Sequence, residues 1–223
     1  MISATYRQDY AGEFVIVNSL WQNGKKKENR EWIPNPIENQ HISGRAACIG
    51  SSIDRDYFFD YRKLARHRGG LLSSKKLQTY GVGDVALEMR LDFAVETNTD
   101  KLATIRDTGI QHDSVIYTTT RNCIANPGEF YIIPYRPQLI DLVTIVYLAA
   151  FDGHKEIFLL GYNRETQGGR DTWLTDMANI FSAYPVDFYL IGESTNMPEE
   201  WVNCNNVRTM DYQSWISYCD VSQ

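Results

Sequence analysis

The chain has 223 residues, 43% hydrophobic and 22% charged, with a net charge of −6. That is ample for one α/β domain with a sizeable core and short for two. The acidic balance argues against a nucleic-acid-coating role, four scattered cysteines (Cys48, Cys123, Cys204, Cys219) form no CxxC pair, and no apolar run reaches the roughly 18 residues of a membrane span.

Residues 13–17 (EFVIV) predict a strand. Asn18 to Arg30 then turn polar around Gly24 and Lys25, Lys26 and Lys27, and predict a turn or mobile loop. That loop is either a solvated tip or a polyanion contact. Pro34 and Pro36 extend the chain into the next element.

Arg45 to Ser52 (RAACIGSS) predicts a buried strand ending in a small-residue turn. A helix is predicted over 54–67, with Tyr57, Phe58, Tyr61 and Leu64 on one side. Strand, Gly50-Ser51-Ser52, helix is a layout that brings backbone N–H groups to a phosphate, although neither GxGxxG nor GK[ST] is present. Asp54-Arg55-Asp56 is formally a D-x-D metal motif, or simply acidic charge suited to a helix start. Arg62, Lys63, Arg66, His67 and Arg68 either complement the helix C-terminus or, with Lys75 and Lys76, form an anion patch.

Leu71 to Ser74 predicts a second strand and Leu91 to Glu96 (LDFAVE) a third. Asn98 or Thr99 then caps a helix through about Arg106, with Asp100 in its first turn. Val115 to Thr118 (VIYT) predicts a fourth strand. These strands end in Gly-Ser-Ser, Ser-Ser, Glu-Thr-Asn and Thr-Thr-Thr. Small hydrogen-bonding residues at successive carboxyl ends suit a nucleotide crevice at the edge of a parallel sheet. They are also ordinary turn chemistry. Residues 121–138, rich in proline, predict a loop holding a short strand at 130–133.

Leu139, Leu142, Val143, Val146, Tyr147 and Ala150 have helical spacing. Gly153 is a plausible C′ stop. Residues 156–161 (EIFLLG) predict a strand buried on both faces. Arg164 to Arg170, with Gly168-Gly169, predicts a lid. Thr172 to Tyr184 predicts an amphipathic helix burying Trp173, Leu174, Met177, Ile180 and Phe181, broken by Pro185. Residues 186–191 (VDFYLI) predict another buried strand, and the tail with Trp201, Trp215 and Tyr218 a final helix or strand packed outside.

The alternation predicts an α/β fold: Rossmann-like, with a mostly parallel sheet, helices on both faces, and a single domain over 1–223. Within it, 1–44 is an N-terminal strand and basic loop, 45–195 a nucleotide-binding core, and 196–223 a C-terminal packing segment. No signal-peptide pattern opens the sequence, and the cytoplasm is the expected compartment. The 14 Tyr, 9 Phe and 5 Trp serve the core or line a site for a planar base or a sugar.

The run G-H-K-E-I-F-L-L-G-Y-N, residues 153–163, resembles a signature of bacterial sialyltransferases of the Campylobacter type and of related Rossmann-like domains. There the pattern is G-(aromatic)-K-E-I-(aromatic)-L-x-G-x-D. This chain keeps Gly153, Lys155, Glu156, Ile157, Phe158, Leu159 and Gly161, with Asn163 in place of the aspartate. The resemblance implies the same order of elements over about 45–195, and makes Gly50-Ser51-Ser52 a reduced form of the family's nucleotide turn. Asp141 and Leu142 stand where the family has Ser-Gly. The family's histidine base follows the signature strand, but the histidines here are His41, His67, His112 and His154, so that base has no counterpart.

The expected activity is therefore transfer of a sugar from a nucleotide-sugar donor to an acceptor hydroxyl, the acceptor being a glycan or a modified DNA base. Gly50, Ser51, Ser52, Ser73, Thr97, Asn98, Thr118, Gly161 and Asn163 are the candidate nucleotide residues. Arg164, Arg170 or Lys75-Lys76 would offset phosphate charge, and Glu165 or Asp171 would act as base. No residue is assigned to a metal, and a divalent ion at Asp54 and Asp56 stays open. Two alternatives stand beside this: a non-catalytic nucleotide-binding or partner-binding regulatory module, and a small phosphotransferase. No G-x-S-x-G elbow supports a serine hydrolase.

Overall fold

A computed structural model describes residues 2–6, 13–22, 25–34, 44–51, 77–134, 138–162, 172–192 and 197–221, the first three ranges and residues 220–221 as backbone. Strands β1 (Ile2–Tyr6), β2 (Glu13–Gln22) and β3 (Lys25–Pro34) form an antiparallel sheet. The predicted strand at 13–17 thus runs on to Gln22, and Lys25 to Arg30 belong to a strand rather than to a loop. The β2–β3 ladder pairs Glu13 with Pro34 and Gln22 with Lys25. Asn23-Gly24, a strong hairpin signal, lies between the two strands; the lysine run masked it.

The second sheet has eight strands: β4 (Arg45–Ile49), β5 (Gln78–Val82), β6 (Phe93–Val95), β7 (Val115–Thr118), β8 (Tyr131–Ile132), β9 (Glu156–Leu160), β10 (Asp187–Ile191) and β11 (Val207–Met210). All neighbours are parallel, in the order β11-β10-β9-β4-β5-β6-β7-β8. The chain steps outward from β4 to β8, returns to β9 on the other side of β4, and continues to β11. This is an open Rossmann-like α/β sheet whose direction of winding reverses between β4 and β9.

The helices are α1 (Gly83–Glu88), α2 (Thr99–Thr108), α3 (Thr120–Ala125), α4 (Asp141–Phe151), α5 (Thr172–Ala183) and α6 (Tyr212–Val221). Residues 142–150 of α4 are all buried, as expected of a helix that is apolar all round. Both faces of the sheet carry helices. The Cys48 thiol meets the Ile145 carbonyl of α4, whereas Phe158, whose register partner Ala47 precedes Cys48, packs its ring at an angle against Trp215 and Tyr218 of α6. Successive strand residues face opposite sides, so α4 and α6 cover opposite faces.

Polar contacts fasten the amino side of the sheet. The Tyr80 hydroxyl lies 2.6 Å from Asp152 and 2.9 Å from His154 Nε2, all three side chains being buried; this ties the end of α4 to β5. Arg45 Nε donates to Glu156 at 2.6 Å, the Tyr218 hydroxyl donates to the other Glu156 oxygen, and the Arg45 guanidinium lies over the Tyr218 ring. Gly153, with φ of +86°, turns the chain from α4 into β9, the stop expected from its place in the sequence.

Strand β5 (QTYGV) lacks a hydrophobic pattern, and its polar residues conceal a central strand. Gln78 and Thr79 are buried. The Thr79 N–H and hydroxyl both donate to Asp92, so the polar side chain is satisfied inside the fold. A Cβ on Gly81 would come 2.5 Å from Leu91 Cδ1, which accounts for a glycine there. Helix α3 stands where loop was expected, with Thr119 capping it by accepting from Asn122 N, and α1 occupies a stretch with no sequence expectation. The tail supplies both a strand, β11, and a helix, α6. The expected strand at 71–74, the helix at 54–67, the basic cluster and the lid lie outside the described residues.

Candidate functional site

Parallel sheets bind ligands at the carboxyl ends of the strands, where winding reverses. Here that point lies between β4, which ends at Gly50-Ser51, and β9, which ends at Gly161-Tyr162. The Gly50 N–H donates to the Leu160 carbonyl at 2.8 Å. A Cβ on Gly50 would sit 2.6 Å from the Gly161 carbonyl oxygen and 2.9 Å from Leu142 Cδ1. Gly161 has φ of +72°, a conformation that favours glycine. Two glycines therefore bring the exits of β4 and β9 into close contact.

The first turn of α4 completes this edge. Its N-cap residue is Ile140, half-exposed, which makes no side-chain cap to the first-turn amides. The Tyr162 hydroxyl donates to the Leu142 carbonyl at 3.0 Å. Asp141 accepts from the Thr97 N–H at 3.0 Å and from its hydroxyl at 2.8 Å. Asp141 and Leu142, which stand in place of Ser-Gly, thus hold the turn after β6 and the exits of β4 and β9.

The strand-end residues have distinct positions. Ser51 is exposed beside the β4–β9 contact, while Gly50 and Gly161 are buried within it. Thr97 is bonded to Asp141. Asn98 caps α2, accepting from Asp100 N and Lys101 N. Thr118 is fully buried and accepts from Asn122 Nδ2 at 3.0 Å. Ser52, Ser73, Asn163, Arg164, Glu165, Arg170, Asp171, the D-x-D and Lys75-Lys76 lie outside the described residues.

Glu96 carries a charge feature that the sequence reading passed over as one of several strand ends. It is buried, accepts from Asn98 N at 2.7 Å, and packs against Gly83, where a Cβ would collide with its carboxylate. Burial pushes its pKa up; the Asn98 N–H and Lys101 oppose this, while Asp141 and Asp84 add to it. The Cys48 and Cys123 thiols are also pushed up by burial, Cys123 to about 12, which keeps both protonated near neutrality and poor as nucleophiles. Among the described residues no group of three His, Cys, Asp or Glu could hold a metal ion, and no helix is long and apolar enough to cross a membrane.

No family model and no curated protein matches the chain. Among solved structures, the fold is similar to that of the sialyltransferase CstII from Campylobacter jejuni in complex with the substrate analogue cytidine-5′-monophosphate. The two share 10% sequence identity with a TM-score of 0.45, over 66% of this chain and 78% of that one.

Proposed function

We propose that the protein is a glycosyltransferase that takes a sugar from a nucleotide-sugar donor. The observation that carries this reading is the switch-point edge, where Gly50 and Gly161 meet beside the first turn of α4. The two glycines close the strand exits together, Ser51 stands exposed beside them, and the positive end of a helix dipole favours a phosphate. The signature-like run supports the same reading: its residues 156–160 form β9, and Gly161 opens the edge.

In this reading the nucleotide lies over the Gly50–Gly161 contact at Ser51, and Ser52, Ser73 and Asn163, outside the described residues, are further candidates. Thr97, Asn98 and Thr118 support the sheet edge from behind. Arg164 offsets the leaving phosphate charge, and Glu165 or Asp171 takes the proton from the acceptor hydroxyl as it attacks the sugar carbon. The acceptor is a glycan or a modified DNA base. A base within a duplex would have to be flipped out to react.

The second reading is a nucleotide-binding module without chemistry. It is favoured by the internal bonding of Thr97, Asn98 and Thr118, which leaves fewer strand-end groups for a substrate.

Thermal unfolding with a panel of nucleoside mono- and diphosphates and their sugar forms separates the two. A ligand at about a hundred times its dissociation constant adds roughly 2.7 kcal/mol. Stabilisation with slow donor hydrolysis that is lost in E165Q or D171N supports the transferase. Stabilisation with no turnover on any acceptor favours the module, and no stabilisation by any nucleotide overturns both.

A further inference from the structure

The turn after β6 and the edge between β4 and β9 are separated by β5 in the sheet, yet one short stretch of α4 touches both. Asp141 receives the Thr97 N–H and hydroxyl. The next residue, Leu142, offers its carbonyl to Tyr162 and sets its side chain against Gly50. Thr97 is itself fixed from behind, since Asn122 Nδ2 donates to its carbonyl at 3.1 Å. The N-cap of α4 contributes no side-chain bond, so the two Thr97 donors on Asp141 supply an anchor that the cap does not.

We infer that Asp141 is a positioning residue: through Thr97 it fixes the first turn of α4, and through Leu142 it sets the spacing of the Gly50–Gly161 edge. The nucleotide half of this inference rests on the proposed function. Both carboxylate oxygens are occupied by Thr97, so Asp141 acts on a ligand through Leu142, Gly50 and Tyr162. The carboxylate holds two donors in a fixed geometry. Asparagine keeps two bonds by accepting from the Thr97 N–H and donating to its hydroxyl, whereas alanine keeps neither.

The test compares wild type, D141A, D141N and T97V by amide hydrogen exchange and by nucleotide titration. The Gly50 amide is the reporter. The Phe188 amide, which donates to the Asn206 carbonyl at 2.8 Å in β10, is the reference. D141A is expected to speed exchange at Gly50 about tenfold, the scale of an ordinary coupling between sites, with Phe188 unchanged. D141N should stay near wild type and T97V fall between. Equal acceleration at Gly50 and Phe188 would mean general destabilisation and would overturn the inference, as would an unchanged Gly50. D141A should also weaken binding of the nucleoside phosphates about tenfold, with D141N restoring it. Unchanged binding in D141A overturns the inference. If wild type binds none of the panel, the proposed function and the nucleotide half fall together, and exchange at Gly50 still decides the structural half.

Discussion

Gly50 and Gly161 meet so closely that a methyl group on Gly50 would lie 2.6 Å from the Gly161 carbonyl oxygen. Backbone on one side and Leu142 on the other leave little room to relax. Gly50→Ala is expected to cost about 1–3 kcal/mol, the usual scale of overpacking, read as a lower urea midpoint at unchanged slope. Gly161→Ala should cost about 1–2 kcal/mol through its positive φ. Both should weaken nucleotide binding more than an equally destabilising change remote from this edge.

Glu96 predicts a pH dependence of defined sign. Burial and the charges of Asp141 and Asp84 hold its folded pKa above the ordinary glutamate value. The folded state therefore keeps its proton to higher pH than the unfolded state. Its contribution to stability is present below the ordinary glutamate pKa and is lost as pH rises through the raised folded value. Gln at this position keeps an acceptor for the Asn98 N–H and never ionises. Glu96→Gln should be more stable than wild type at neutral pH, with the gap closing toward acid. Urea unfolding across that range measures it, and a constant gap would contradict the assignment.

Tyr218 governs part of the alkaline limb. Its hydrogen bond to Glu156, and then burial, push its pKa up to about 12. The folded form holds the phenolic proton beyond the ordinary tyrosine value, so stability falls as pH rises toward 12. Tyr218→Phe should unfold more easily at neutral pH and show a shallower alkaline loss. Absorbance-monitored titration of the two proteins should differ by one late-ionising phenol.

Tyr80 tests the contact that ties α4 to the sheet. Its hydroxyl lies between Asp152 and His154 in a fully buried setting. Removing it in Tyr80→Phe takes a hydrogen bond from a buried carboxylate. The expected cost is about 1–3 kcal/mol, measured by denaturant unfolding.

Much of the framework could be read from local pattern. Helix α4 follows from apolar residues at helical spacing that stop before Gly153, β9 from the short apolar run after it, and α2 from the Asn98 cap, because these signals lie within a few residues of one another. Strand β5 was invisible, since Gln78 and Thr79 read as surface until Asp92 is seen to bond Thr79 inside the fold. Strand β3 was hidden by its lysines, because its ladder depends on partners in β2 that run from Gln22 opposite Lys25 out to Glu13 opposite Pro34.

Sequence alone determined that this is an α/β chain with small residues at strand ends, because periodicity and turn chemistry are local. Only the tertiary structure decided which of those ends meet. The reversal of winding sets β4 beside β9, more than a hundred residues apart, and so brings Gly50 to Gly161. It also places Asp141 at Thr97 and leaves Thr118 buried, since which groups face a crevice and which satisfy one another depends on strand order and packing across the sheet.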